Sequence, residues 1–99
     1  MSSWKVRSGV ILVKIKGVYL LVADKEARRN CPYIREINEI GAFIWERLEE
    51  GKETDDIESH LRQEYDVPQE YDLEADINGF LSVLVKYRYL ICEAEKDEV

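Results

Sequence analysis

"EINEIGAFIWERLEEG", residues 36–51, is where the chain changes from one periodicity to another. Upstream, "CPYIREI" alternates as a strand does. Within the stretch, Ile40, Phe43, Ile44 and Leu48 recur at helical spacing. Asn38 stands one turn before them, where a side-chain oxygen can accept from a free N–H of the first turn. Gly51 closes the segment as a left-handed cap. The spacing predicts a strand that runs straight into a helix over about Glu39–Glu50, which fixes the angle between the two. Gly41 costs roughly 1 kcal/mol against Ala inside a helix. A close approach of the helix to the sheet at that point offsets this cost.

Working back from the junction, "VILVKIK" (10–16) and "VYLLVA" (18–23) are β-branched and apolar runs separated at Lys16-Gly17, which predicts a hairpin. Both faces of the second run are apolar, so that strand is expected to be central. "DKEARRN" (24–30) reads as a polar connection. A third strand is expected from about Pro32 to Ile37, on an edge because Pro32 has no N–H to contribute. Its Tyr33, Ile34, Arg35, Glu36 and Ile37 therefore form an edge that nothing upstream covers.

Working forward, Thr54 reads as the N-cap of a second helix with Asp55 and Asp56 in its first turn. Ile57, Leu61 and Tyr65 line its inner side, and "DVPQE" ends it. His60 lies among charges on the outer side. A third helix is expected from about Leu73 to Tyr87 behind Asp72. Leu73, Ile77, Leu81 and Leu84 follow a core stripe. Asp76, Phe80, Val83 and Tyr87 follow the same spacing about a hundred degrees round. That second stripe is either the margin of a wide core or a separate surface to bury. Residues 1–5 and 93–99 are expected to fray.

Composition narrows the function. A chain of 99 residues with 45% hydrophobic and 35% charged content is expected to form one domain, 1–99, with its core at about 8–91. The longest apolar run is too short to span a bilayer, and no signal segment opens the chain, so a cytoplasmic protein is expected. Residues 1–36 hold eight Lys/Arg against three Asp/Glu, net +5, and the remainder is net −12 within the total of −7. The helical half is thus acidic, which weighs against nucleic acid. Two distant cysteines and one histidine supply no zinc site, no cofactor motif occurs, and no nucleophile–base pair, carboxylate cleft or phosphate loop is present. A binding module is expected, not an enzyme, with free buried thiols.

Three strands followed by three helices make an α+β arrangement of winged helix-turn-helix type. The order "INEIGAFIWERLEEG", "TDDIESHLRQEYDV" and "DINGFLSVLVKYRYLI" resembles the PqqD-like family of recognition elements for ribosomally made, modified peptides. The likeness covers roughly residues 8–91. Its most specific part is Ile37-Asn38-Glu39, Gly41, Ile44-Trp45 and Gly51. The chain departs from the family where Arg88-Tyr89 stand before Leu90-Ile91, since a Gly often occupies that turn. The resemblance implies that the leader segment of a precursor peptide adds as an extra strand along Tyr33–Ile37, against Asp76, Phe80, Val83 and Tyr87. It also implies a separate modifying enzyme as partner: a radical-SAM protein, a leader protease or a cyclase. The alternative is a winged-helix DNA-binding or protein-interaction regulator, and a homodimer through the edge strand is a further use of the same edge.

Overall fold

The computed structural model describes residues 4–92. Five strands, one 3-10 turn and three helices follow one another: β1 (Trp4–Val6), β2 (Val10–Ile15), β3 (Val18–Ala23), the turn Ala27–Arg29, β4 (Arg35–Ile37), α1 (Glu39–Glu49), α2 (Thr54–Tyr65), α3 (Leu73–Lys86) and β5 (Leu90–Cys92). The strands form an antiparallel three-stranded sheet, β2-β3-β4, and a separate antiparallel pair, β1-β5.

The β2–β3 hairpin turns on two residues because Lys16 and Gly17 both take positive φ, 52° and 81°. That backbone matches the right-handed strand twist. The pairing of Leu12 with Leu21 and of Val10 with Ala23 puts these four side chains on the face toward the helices. With β3 between its neighbours, Leu21 is fully buried, while Ile11 and Ile15 on the other face are exposed. Asn38 caps α1 as expected, accepting from the Gly41 N–H at 2.7 Å. Trp45 and Leu48 of α1, Ile57 and Leu61 of α2, and Leu73, Ile77, Leu81 and Leu84 of α3 close one core with the sheet.

Several expectations are corrected. The third strand is only Arg35–Ile37: Pro32 lacks a ladder donor, and the Tyr33 carbonyl accepts instead from the Tyr89 hydroxyl at 2.6 Å. The N-cap of α2 is Glu53, without a side-chain bond, and Thr54 is the first helical residue. Residues 4 and 5 do not fray, because Trp4–Val6 pairs with Leu90–Cys92 and ties the two ends of the described chain together. The polar connection after β3 contains a 3-10 turn held by Asp24, whose carboxylate accepts from the Ala27 N–H. Gly41 approaches α3 and not the sheet: a Cβ there would stand 3.1 Å from the Phe80 ring.

Candidate functional site

The hydrogen-bonding sense of the sheet determines what β4 shows to solvent. A two-residue hairpin makes Ile15 and Val18 a hydrogen-bonded pair, and such pairs alternate along an antiparallel ladder. Val18, Leu20 and Val22 therefore bond toward β2. The Asp24 N–H to Gly9 carbonyl bond of 2.8 Å continues the same phase. Tyr19 and Leu21 consequently turn their amides toward β4, where they meet Ile37 and Arg35. Glu36 lies between those two contacts, so its N–H and C=O point away from the sheet. Among the described residues no further strand pairs with β4.

A wall stands beside this edge. The Arg35 guanidinium carbon lies 4.1 Å from the centroid of the Tyr87 ring, a stacked cation–π contact at the C-terminus of α3. About two turns back along α3, Phe80 rests on the Gly41 backbone of α1. Between these points Val83 is 39% exposed; Tyr87 itself is 43% exposed, and Asp76, one turn before Phe80, is exposed. Val83 and Tyr87 of the second stripe are thus outside the core, alongside the free edge, whereas Phe80 is half-buried and packs against the core. Of the nine residues expected at this site, Arg35, Glu36, Asp76, Phe80, Val83 and Tyr87 border the cleft. Ile37 is buried beneath it at 8% exposure. Tyr33 and Ile34 precede the strand and are exposed, Tyr33 with its carbonyl held by Tyr89.

The cleft has a cavity at each end. One, of about 300 Å³, is lined by Ile40, Gly41, Ile44 and Leu73 together with Asp76 and Phe80. The other, of about 340 Å³, is lined by Cys31, Pro32 and Tyr33 with Arg35, Tyr87 and Tyr89. Most of these apolar linings are absent from the sequence-based expectation. The one signal that could have found the first was Gly41, a glycine within a helix, whose missing side chain is the seat of Phe80.

The charges around the two cavities differ. At the first, the Tyr71 hydroxyl donates to the Asp76 carboxylate, and this bond pushes the phenol pKa above its ordinary value. Arg62 holds the loop that brings Tyr71 there, donating to the carbonyls of Pro68 and Tyr71 at 2.7 and 2.9 Å. At the second, Lys86 and Arg88 join Arg35. Burial pushes the Cys31 thiol up in pKa, with Arg7 and Arg88 pulling the other way. Burial likewise raises the Tyr89 phenol, with Cys31 adding to the rise and Arg35 opposing it. Among the described residues no group of three or more His, Cys, Asp or Glu could hold a metal ion, and no helix is long and apolar enough to cross a membrane.

Comparison with known proteins adds two findings. The sequence model of the family described as Coenzyme PQQ synthesis protein D (PqqD) matches residues 32–90, from just before β4 to the first residue of β5. Among solved structures, the chain is similar to TbiB1 in complex with the TbiA(beta) leader peptide. The identity is 26%, the TM-score 0.69, and the likeness covers 87% of this chain and 93% of that one. A search of the curated proteins found no match.

Proposed function

The chain belongs to the PqqD family, and from that premise we propose that it binds the leader segment of a ribosomally made precursor peptide and presents it to a separate modifying enzyme. The guest adds as a strand to β4, in the cleft against α3. One observation carries this reading: the open β4 edge and the exposed apolar stripe of α3 are two walls of one groove, in a fold similar to a protein solved with a leader peptide.

Energetics divide the work between the walls. The Ile34 carbonyl with the N–H and carbonyl of Glu36 offers about three outward backbone bonds, each contributing about 0.5–1.5 kcal/mol net. That alone does not offset the ordering of a disordered guest. Apolar anchors against Phe80, Val83 and Tyr87 supply the remainder, at about 25 cal/mol per Å² buried. Two Leu- or Phe-sized anchors add on the order of 3–6 kcal/mol, which brings the complex to the micromolar range or tighter, since about −8 kcal/mol corresponds to micromolar. Backbone bonds give affinity with little sequence demand; the pockets give choice. The chain performs no chemistry itself. As a single recognition unit over residues 8–91, acting in the cytoplasm, it raises the local concentration of the core peptide at a radical-SAM protein, leader protease or cyclase.

The test is a titration of fluorescently labelled leader segments from short precursor peptides encoded beside this chain's gene. Glu36→Pro removes an outward N–H and should weaken binding several-fold while leaving circular dichroism unchanged. Arg35→Pro removes an N–H directed at β3 and should damage the sheet itself. If Glu36→Pro leaves affinity intact, strand addition to β4 is wrong. Size exclusion over a range of concentrations covers the competing use of the edge, because a dimer through β4 dissociates on dilution and is displaced by the leader.

A further inference from the structure

The sheet has a second open edge, on the side opposite β4. It belongs to β2, which is six residues long against three for β4. Because Ile11, Val13 and Ile15 bond toward β3, the backbone groups of Leu12 and Lys14 point away from the sheet. Val10 shares that direction, but its N–H is taken by the Arg7 carbonyl at 3.2 Å. Among the described residues no strand pairs with β2 on this side, and no backbone bond uses the N–H or carbonyl of Leu12 or Lys14. Proteins blunt such an edge with proline, a bulge, a short strand or a charge in its path. β2 has no proline, and it pairs with β3 without a break from Val10 to Ile15. Its one charged side chain, Lys14, is drawn onto the Tyr19 ring of β3, 5.1 Å from the centroid and away from the edge.

The outer face beside this edge is aliphatic. Ile11, Val13 and Ile15 stand opposite Val22, Leu20 and Val18. Ile11 and Ile15 are 55% and 54% exposed, more than any other apolar side chain of β2 and β3. Exposed apolar surface and unused backbone groups thus lie along one strand, and β2 fits itself. Two copies related by a two-fold axis would pair β2 with β2 antiparallel, with the axis at Leu12, Val13 or Lys14. At Lys14, it sets the two ammonium groups opposite each other, which like charges resist. At Leu12, it turns the Lys14 carbonyl toward the Val10 N–H that Arg7 already holds, and sets Ile15 opposite Gly9. At Val13, every free group is used: Leu12 of each copy exchanges both bonds with Lys14 of the other. On the outer face Val13 then meets its own copy, and each Ile11 meets Ile15 of the second copy. We infer that the chain forms a two-fold dimer through β2, in register about Val13, as one continuous six-stranded sheet. Leader binding is not required for it, since the two β4 edges lie free at its far ends.

Sedimentation velocity of the full chain over a wide range of concentrations should show a monomer–dimer equilibrium. Val13 occupies a closely spaced position of the pair, with Cα atoms about 4.5 Å apart, inside the roughly 4.4–6.8 Å that a disulfide spans. Under mild oxidation Val13→Cys should therefore link to its own copy, with the bond located by peptide mass spectrometry. Ile15→Cys should link to its own copy several-fold less, although its position is the more exposed. Ile11→Cys and Ile15→Cys in one chain should restore the link, now between those two positions. Lys14→Pro removes an outward N–H and should abolish the dimer, whereas Glu36→Pro on the opposite edge should leave it intact. If Lys14→Pro fails to fold, the cysteine variants decide alone, since they keep the backbone and add no charge. A monomer at every concentration, self-linkage of Ile15→Cys equal to that of Val13→Cys, or a dimer lost in Glu36→Pro and kept in Lys14→Pro overturns the inference. Each of these outcomes leaves leader binding at β4 to its own titration.

Discussion

Helix α3 carries two apolar stripes of similar composition and spacing, and they have opposite fates. Leu73, Ile77, Leu81 and Leu84 are at most 6% exposed, whereas Val83 and Tyr87 are 39% and 43% exposed and Phe80 is only half-buried. Periodicity cannot separate them, because each satisfies the same helical rule. The sheet separates them. It is three strands wide and stops at β4, so the helix covers it with one stripe and overhangs its open edge with the other. An apolar stripe that the fold leaves uncovered marks a surface awaiting a partner.

The largest effect is expected on the covered side. Leu81→Ala removes a side chain that is 1% exposed and leaves a cavity in a packed core. It should cost about 2–5 kcal/mol in urea-induced unfolding. An effect below about 1 kcal/mol would mean that the core is not packed as described. Next comes the uncovered side. Tyr87→Ala should weaken a bound leader by about ten-fold or more, with stability changed by less than about 1 kcal/mol. Phe80→Ala should weaken it likewise, at a stability cost smaller than that of Leu81→Ala because the ring is half-buried on Gly41. Parallel titration and unfolding of the same variants read the two quantities. If these variants lose stability as Leu81→Ala does and bind unchanged, both stripes are core and the comparison fails.

Between these sides stands Tyr89, which is 2% exposed and spans from the end of α3 to the Tyr33 carbonyl. Tyr89→Phe should cost about 1 kcal/mol, the typical worth of one hydrogen bond. It should also free the segment before β4. The phenol's folded pKa is raised above the ordinary value of 10.0, first by burial. Its contribution is therefore fully present below about pH 10 and is lost as pH rises through the higher folded value. Alkaline unfolding followed by circular dichroism should set in above pH 10, and that loss should be smaller in Tyr89→Phe.

These differences also explain what the sequence could show. The hairpin, the three helices and the core stripe of α3 are written in local signals: Lys16-Gly17, Asn38, Gly51 and Asp72. The β1–β5 pair was not legible, because each strand has three residues and its partner lies at the opposite end of the chain. At the site, the edge and the overhanging stripe could be read from alternation and spacing. The shortening of β4 could not, since it depends on a bond from Tyr89, fifty-six residues away. The seat of Phe80 on Gly41 was equally hidden: a glycine announces a close approach without naming what approaches.

The smallest expected effect lies at the point where α3 hands the chain to β5. Arg88 has φ of 71°, the left-handed region that a side chain disfavours. The conformation is nonetheless required. The Arg88 N–H bonds to the Val85 carbonyl, and the Arg88 carbonyl accepts from the Cys31 thiol and the Arg7 guanidinium. All three bonds use backbone atoms of Arg88, so Gly can keep them while removing the Cβ strain. Arg88→Gly should raise stability by about 0.5–1 kcal/mol, net of the extra freedom Gly has when unfolded. It should leave the Phe80 end of the groove untouched and take one positive charge from the Tyr87 end. A thermal unfolding curve and a leader titration at two salt concentrations separate the outcomes. A gain in stability with a weaker salt dependence would show that the closed side can be improved independently of the open one. A loss of stability would mean that the Arg88 side chain holds the turn in some way its backbone does not.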